Sequence, residues 1–199
     1  MTEKEINAFV DSLRKKAWEE YIPVMREQTA RLLAECVKKN NPTQILEIGT
    51  CIGTSGIIAL NNSNARLTTI EIDEEVQKKA KENFAECGLI DRVEFLLGDC
   101  NEVVFMMDGN SYDMVILDGP KSHYLELFKT LFPMVKKNGI FFVDNIHIDR
   151  FVESDGEAKK KHRTIVKGMK DFLDYLDSGI DVIVNKYDIE DGVLIIKKL

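Results

Sequence analysis

Five short apolar runs, each followed by a candidate helix, constrain the fold of this chain more than any other feature. They are QILEI (44–48), RLTTIE (66–71), VEFLL (93–97), YDMVIL (112–117) and GIFFV (139–143). Strands that alternate with helices at this spacing predict a mostly parallel sheet, covered by helices on both faces and joined by right-handed crossovers. The end of the chain differs: IDVIVNKY and VLIIKKL flank DIEDG, the signal of an antiparallel hairpin. The expected fold is therefore α/β, with a mostly parallel seven-stranded sheet and a C-terminal antiparallel hairpin. Two helices are expected before the first strand, at 3–19 and 23–39, with Pro23 in the first turn of the second. Asp73 is placed to cap the helix after Glu71.

At 199 residues, 44% of them hydrophobic, the chain suits a single domain, 1–199, with no internal repeat or linker. Lysine and arginine number 27 against 34 acidic residues, a net charge of −7. Such a surface repels polyanions unless basic residues gather on one side. Cys36, Cys51, Cys87 and Cys100 form no C-x-x-C pair, which favours free thiols, a reducing compartment and a cytoplasmic location. The start MTEKEINAF is polar, and no apolar run approaches the ~20 residues that span a bilayer, so no membrane association is expected.

The first strand runs into Glu47-Ile48-Gly49-Thr50-Cys51-Ile52-Gly53-Thr54-Ser55-Gly56. This G-x-x-x-G-x-x-G spacing is neither the dinucleotide fingerprint nor a triphosphate loop, and no lysine follows it. Glycines there let a ligand approach the backbone at the carboxyl end of the sheet. Glu71 ends the second strand, where a carboxylate can accept hydrogen bonds from ribose hydroxyls. Asp99 follows the third strand and can face an adenine amine. The set points to a nucleoside ligand without phosphates; the plainer reading is a tight turn with helix-capping acids. In this pattern the chain resembles Rossmann-like, class I, S-adenosylmethionine-dependent methyltransferases. The resemblance implies Glu47, Gly49, Gly53, Ser55, Glu71 and Asp99, with Asp118, as cofactor-binding residues.

The fourth strand ends in LDGPK and the fifth in FFVDNIH. If the two strands are neighbours, Asp118, Asp144 and Asn145 converge at one rim. Three hard oxygen ligands suit Mg²⁺, Mn²⁺ or Ca²⁺ rather than a structural zinc. A cation there acidifies a substrate hydroxyl, and Lys121 is placed to take the proton. The alternative is ordinary turn chemistry at Asp118-Gly119-Pro120 with a solvated Lys121. D-x-x-K on one strand end and D-N on the next resemble the cation-dependent O-methyltransferases of catechol and caffeoyl-coenzyme A type. That likeness makes Asp118, Asp144 and Asn145 metal ligands, Lys121 the general base, and a homodimer the expected assembly. It leaves the N-terminal helices, 1–40, as either a lid over the active site or a dimer surface. Thr54, Gly119-Pro120, His147 and Arg150 depart from the usual pattern and bear on the substrate pocket.

Within that family, YIPVM (21–25), the basic helix before the hairpin and DGVLIIKKL resemble the bacterial tRNA 5-hydroxyuridine methyltransferases. The 5-hydroxyl and C4 carbonyl of that base can chelate a metal as a catechol does. The segment EAKKKHRTIVKGMK (157–170) offers phosphate contacts through residues such as Lys160 and Arg163, or is a solvated helix face. Arg26 can meet a phosphate or a surface acid; His147 and His123 lie near enough to touch substrate or metal. Cys51 reads as a packing residue of the cofactor loop. The expected partners are tRNA or a catechol-like small molecule. A catalytically silent S-adenosylmethionine-binding module and an NAD-dependent oxidoreductase are the readings of other classes; the intact Asp118, Lys121, Asp144 and Asn145 oppose the first and the glycine spacing the second.

Overall fold

The computed structural model describes residues 1–107, 112–147 and 158–199, the last with side chains from 162 onward. Seven strands form one sheet: β1 (Gln44–Ile48), β2 (Arg66–Glu71), β3 (Val93–Leu97), β4 (Tyr112–Leu117), β5 (Val135–Asp144), β6 (Val182–Tyr187) and β7 (Val193–Lys198). Their order is β3-β2-β1-β4-β5-β7-β6. β1 to β5 pair in parallel, and β7 runs antiparallel between β5 and β6. The helices are α1 (Glu3–Glu19), α2 (Glu27–Asn40), α3 (Thr54–Asn61), α4 (Glu74–Glu86), α5 (Cys100–Met106), α6 (Tyr124–Leu131) and α7 (Ala158–Leu176).

Strand periodicity divides the core into two layers. Ile45 joins Leu33, Val37, Ile57 and Phe84 on one face of the sheet, whereas Leu46 and Ile48 join Phe128, Phe141 and Phe172 on the other. Phe84, Phe128, Phe141 and Phe172 have no exposed surface; each contributes roughly 2–3 kcal/mol by burial. Glu47 falls on the Ile45 side of β1, which sets its role below.

The sheet order reverses between β1, which continues toward β2 and β3, and β4, which continues toward β5. Open α/β sheets bind ligands at that switch point, beyond the carboxyl ends of the strands. The strands end level there: Ile48 pairs with both Ile70 and Leu117, and Leu117 pairs with Val143.

Two boundaries differ from the sequence reading. α2 begins at Glu27 rather than at Pro23, with Arg26 in the N-cap position. Tyr21 takes a left-handed φ of 57°, and the 20–26 segment runs as a non-helical arm. β5 begins at Val135, four residues before GIFFV. Its first part is polar and exposed, and Asn138 has a left-handed φ of 65°, so apolarity does not mark it. Asp73 does cap α4, accepting from the amides of Glu75 and Val76.

Candidate active site

The glycine loop is built for close approach. Gly49 has a φ of 93°, and a Cβ added there would lie 2.5 Å from the Asp118 carbonyl oxygen. The loop therefore abuts the end of β4, with Asp118 N donating to Ile48 O at 3.1 Å. Gly53, with a φ of 87°, would clash with the Phe84 ring if it carried a side chain. Beneath the loop, Glu47 is fully buried. Its carboxylate accepts from Ser55 Oγ at 2.6 Å and from Thr69 Oγ1 at 2.7 Å. Burial pushes its pKa up to about 7, against the lowering effect of those two hydroxyls.

Two cavities meet over this loop. The smaller, of about 260 Å³, is lined by Gly49, Ile70, Glu71, Gly98, Asp99 and His123, among others. The larger, of about 860 Å³, shares Gly49, Glu71 and Gly119 with it and extends over Asp118, Lys121, Asn145 and Asp191 to the arm residues Tyr21, Pro23 and Arg26. Glu47, Gly53 and Ser55 line neither cavity. These three were expected to bind the cofactor; Glu47 lies buried beneath the loop, bonded to Ser55 in the first turn of α3, and Gly53 closes the loop as the N-cap of that helix. They shape the turn, and Gly49, Glu71, Asp99 and Asp118 face the space. Glu71 also orders the neighbouring backbone, accepting from Cys51 N at 2.8 Å, Ile72 N at 2.9 Å and Asp73 N at 3.1 Å. Asp99 caps α5 through Asn101 N at 2.8 Å.

Because Leu117 and Val143 are paired, Asp118 and Asp144 sit side by side; Asp118 lines the larger cavity, whereas Asp144 is buried and lines neither. Asn145, with a left-handed φ of 63°, turns its amide to Asp118, Nδ2 to Oδ1 at 3.3 Å. Its backbone N–H donates to Asp144 Oδ1 at 2.7 Å. Tyr124 of α6 donates to the Asp144 carbonyl at 3.1 Å and fastens the strand end from below. Burial raises the pKa of both aspartates, and the charge of Asp118 raises that of Asp144 further. Lys121, on a short 3-10 turn at Lys121–His123, opposes both shifts. No three His, Cys, Asp or Glu side chains converge to hold a metal among the described residues. The set at this rim is instead two carboxylates and an amide. Buried, mutually repelling carboxylates beside a neutral amide, whose Nδ2 here faces Asp118, are of a chemistry that fits a hard divalent ion.

The remaining candidates are dispersed. His147 lies against the β6–β7 turn, with Nε2 2.9 Å from Asp188 Oδ1, and lines neither cavity. Gly192 packs against its ring. Arg26 lines the large cavity and meets Asp191 Oδ2 at 3.5 Å. Arg163 is exposed on α7; the side chain of Lys160, like Arg150, lies outside the described residues. Cys51 lines the cleft, where burial lifts its thiol to about 11, which suits the packing role read from the sequence. The sequence reading missed Trp18, Tyr21 and Asp191 as cleft residues. The acidic DIEDG turn was the available signal for the last of them.

Residues 2–199 match the model of a protein family described as O-methyltransferase. The chain belongs to the O-methyltransferase family. It is 27% identical over 173 residues to a protein of Arabidopsis thaliana named a putative caffeoyl-CoA O-methyltransferase, covering 84% of this chain and 74% of the relative. A catechol O-methyltransferase of Mycobacterium tuberculosis is 26% identical over 105 residues, 52% of this chain and 48% of that one. The match spans about half the length of several curated relatives, such as 53% of a putative O-methyltransferase from Mycobacterium sp. (strain JLS). Among solved structures, a putative caffeoyl-CoA O-methyltransferase from Staphylococcus aureus superposes with a TM-score of 0.85 at 27% identity, covering 96% of this chain and 92% of that one. The O-methyltransferase TomG of Streptomyces achromogenes, solved with SAM, shares the fold, with a TM-score of 0.83 at 22% identity over 96% of this chain and 89% of that one. This membership agrees with the expected α/β architecture and with a methyltransferase glycine loop. No helix among the described residues is long and apolar enough to cross a membrane.

Proposed function

We propose that this chain transfers a methyl group from S-adenosylmethionine to a substrate hydroxyl that lies beside a second oxygen, with a divalent cation held by Asp118, Asp144 and Asn145. The observation that carries the reading is the convergence of two buried carboxylates and an amide at the strand rim, next to Lys121 and the glycine loop. S-adenosylmethionine supplies an electrophilic methyl group, and the cation, Mg²⁺ or a similar ion, supplies Lewis acidity that lowers the pKa of the hydroxyl. Gly49, Glu71 and Asp99 line the smaller cavity and would hold the nucleoside half of the cofactor, and Asp118, which lines the larger, would border its methionine half. Lys121, as the neutral amine, would accept the hydroxyl proton at Nζ, leaving the oxygen as the nucleophile for the methyl group that S-adenosylmethionine would supply. Most of the rate comes from holding the two reactants in line.

For the substrate we propose 5-hydroxyuridine at the wobble position of tRNA. Supporting this, α7 buries Met169, Phe172 and Leu176 and exposes Arg163, Lys167 and Lys170 at helical spacing, a face on which Asp174 is the acidic member. The helix also adjoins the catalytic turn: a Cβ added at Gly168 would lie 2.6 Å from the Ser122 carbonyl oxygen. A catechol-like small molecule is the second reading, favoured by the names of the relatives. The test is methyl transfer from labelled S-adenosylmethionine to tRNA lacking the modification and, in parallel, to a catechol, each with Mg²⁺ or chelator. Wild-type transfer that chelator abolishes, and that Lys121→Ala loses at least ~100-fold while still binding cofactor, supports the mechanism. Unchanged turnover in Lys121→Ala would sink it.

A further inference from the structure

The turn between β6 and β7 closes a hairpin, yet its acidic side chains are used elsewhere. Glu190, at a left-handed φ of 46°, accepts from Gln28 N at 3.0 Å through Oε1, and from Thr29 N and Thr29 Oγ1 at 2.9 Å each through Oε2. Those amides are orphan donors in the first turn of α2, whose own N-cap residue, Arg26, makes no side-chain capping bond. The cap is supplied from 161 residues away, as a carboxylate at the positive end of the helix. The next residue, Asp191, meets Arg26 at 3.5 Å.

Between α1 and this cap runs the 20–26 arm, which lines the large cavity with Tyr21, Pro23 and Arg26. The arm also covers the glycine loop, because Cys51 Sγ donates to the Pro23 carbonyl at 3.1 Å. We infer that the β6–β7 turn is a latch that holds the arm across the cleft, and that Glu190 is a positioning residue for the substrate wall the arm forms. Without Glu190 two backbone amides and the Thr29 hydroxyl in the first turn of α2 lose their acceptor and the turn frays, Arg26 loses its fixed place opposite Asp191, and the arm lifts from Cys51. The kinetic consequence rests on the methyl-transfer reading above; the exposure of Cys51 does not.

Cys51 is therefore the reporter and Cys100 its internal reference. Both are partly exposed, and burial raises both thiols to about 11. The full chain is alkylated with iodoacetamide and each cysteine is quantified by peptide mass spectrometry. In Glu190→Ala, Cys51 is expected to label about tenfold faster, the loss of roughly one charge-assisted hydrogen bond, with Cys100 unchanged. Glu190→Gln keeps one acceptor oxygen but sets an NH₂ where the other stood, and restores only part of the protection. In the same variant the KM for the hydroxyl substrate rises about tenfold while kcat stays within about twofold, as expected when a binding wall is displaced. An unchanged Cys51 rate in Glu190→Ala overturns the latch, whatever happens to KM. If the buried Cys36 and Cys87 also label, the variant has unfolded, and Thr29→Val is used instead. That variant removes only the hydroxyl donor and is expected to raise Cys51 labelling about threefold; no rise overturns the latch. A wild-type protein that methylates nothing defeats the functional reading, while the Cys51 rates still decide the latch.

Discussion

Asn145 donates from Nδ2 to Asp118 Oδ1 at 3.3 Å, across the ends of two neighbouring parallel strands. The contact needs the left-handed φ of 63° at Asn145, a conformation asparagine tolerates better than most residues. Together with Asp144 it gathers two acids and an amide where a sheet ordinarily presents solvated turns. The arrangement carries a cost without a cation, since both carboxylates are raised in pKa by burial and Asp144 also by its neighbour.

That cost gives the first prediction. If Asp118, Asp144 and Asn145 hold a cation as proposed, Mn²⁺ added to the metal-free wild-type chain should raise its melting temperature by binding the folded state and relieving the repulsion. Asp144→Asn should melt a few degrees higher than wild type without metal and show no response to Mn²⁺. Thermal melts and calorimetric Mn²⁺ titrations of both proteins check this. A variant that still binds Mn²⁺ as wild type does would remove Asp144 from the ligand set.

The glycine loop offers a matched pair of substitutions. Gly49→Ala places a Cβ 2.5 Å from the Asp118 carbonyl at a φ of 93°, whereas Gly88→Ala meets nothing within 4 Å at a φ of 69°. Gly88→Ala should lose about 1 kcal/mol of stability and keep cofactor affinity. Gly49→Ala should lose more than about 2 kcal/mol and weaken S-adenosylmethionine binding at least ~tenfold, as the strand ends are forced apart. Denaturant unfolding and isothermal titration report the two effects separately.

Glu47 makes stability depend on pH in a stated direction. Its folded pKa of about 7 lies above the ordinary carboxylate value of 4.5, so the folded chain binds a proton that the unfolded chain has released between those values. Stability from this group is therefore full below about 4.5 and falls as pH rises toward 7. The loss is roughly 3 kcal/mol at most. Urea unfolding across that range should show a decline that is shallower in Glu47→Gln, which has no proton to exchange. Equal slopes in the two proteins would contradict the assignment.

The basic face of α7 separates the two substrate readings. Replacing Arg163, Lys167 and Lys170 together with Gln should weaken tRNA binding and lower the slope of log affinity against log salt by about 2, while transfer to a catechol stays within about twofold. Filter binding at several salt concentrations measures the slope. An unchanged slope would make the face an ordinary solvated surface.

The strands were legible because each is an apolar run bounded by turn residues, a signal contained within about ten neighbouring positions. The rim residues were legible for the same reason: Gly49, Glu71, Asp99, Asp118 and Asp144 lie at or just beyond strand ends, and strand ends in a parallel sheet lie on one edge. What escaped was orientation. Glu47 and Ser55 stand in the same motif as Gly49, yet Glu47 turns beneath the loop and accepts from both Ser55 and Thr69. His147 is three residues from Asp144 but is taken by Asp188. Pro23 looked like a helix start, and the helix instead begins where Glu190 can cap it.

By itself, then, the sequence determined the order of elements, the glycine turn and the chemical character of the rim, because these depend on local periodicity and on residue type. Only the tertiary structure decided that Leu117 stands opposite Val143, and so that Asp118 and Asp144 share one site. It also decided that an acidic hairpin turn would cap a helix far away in the chain and hold an arm across the cleft. Those relationships join residues through strand register and packing between distant segments, which no window of neighbouring residues encodes.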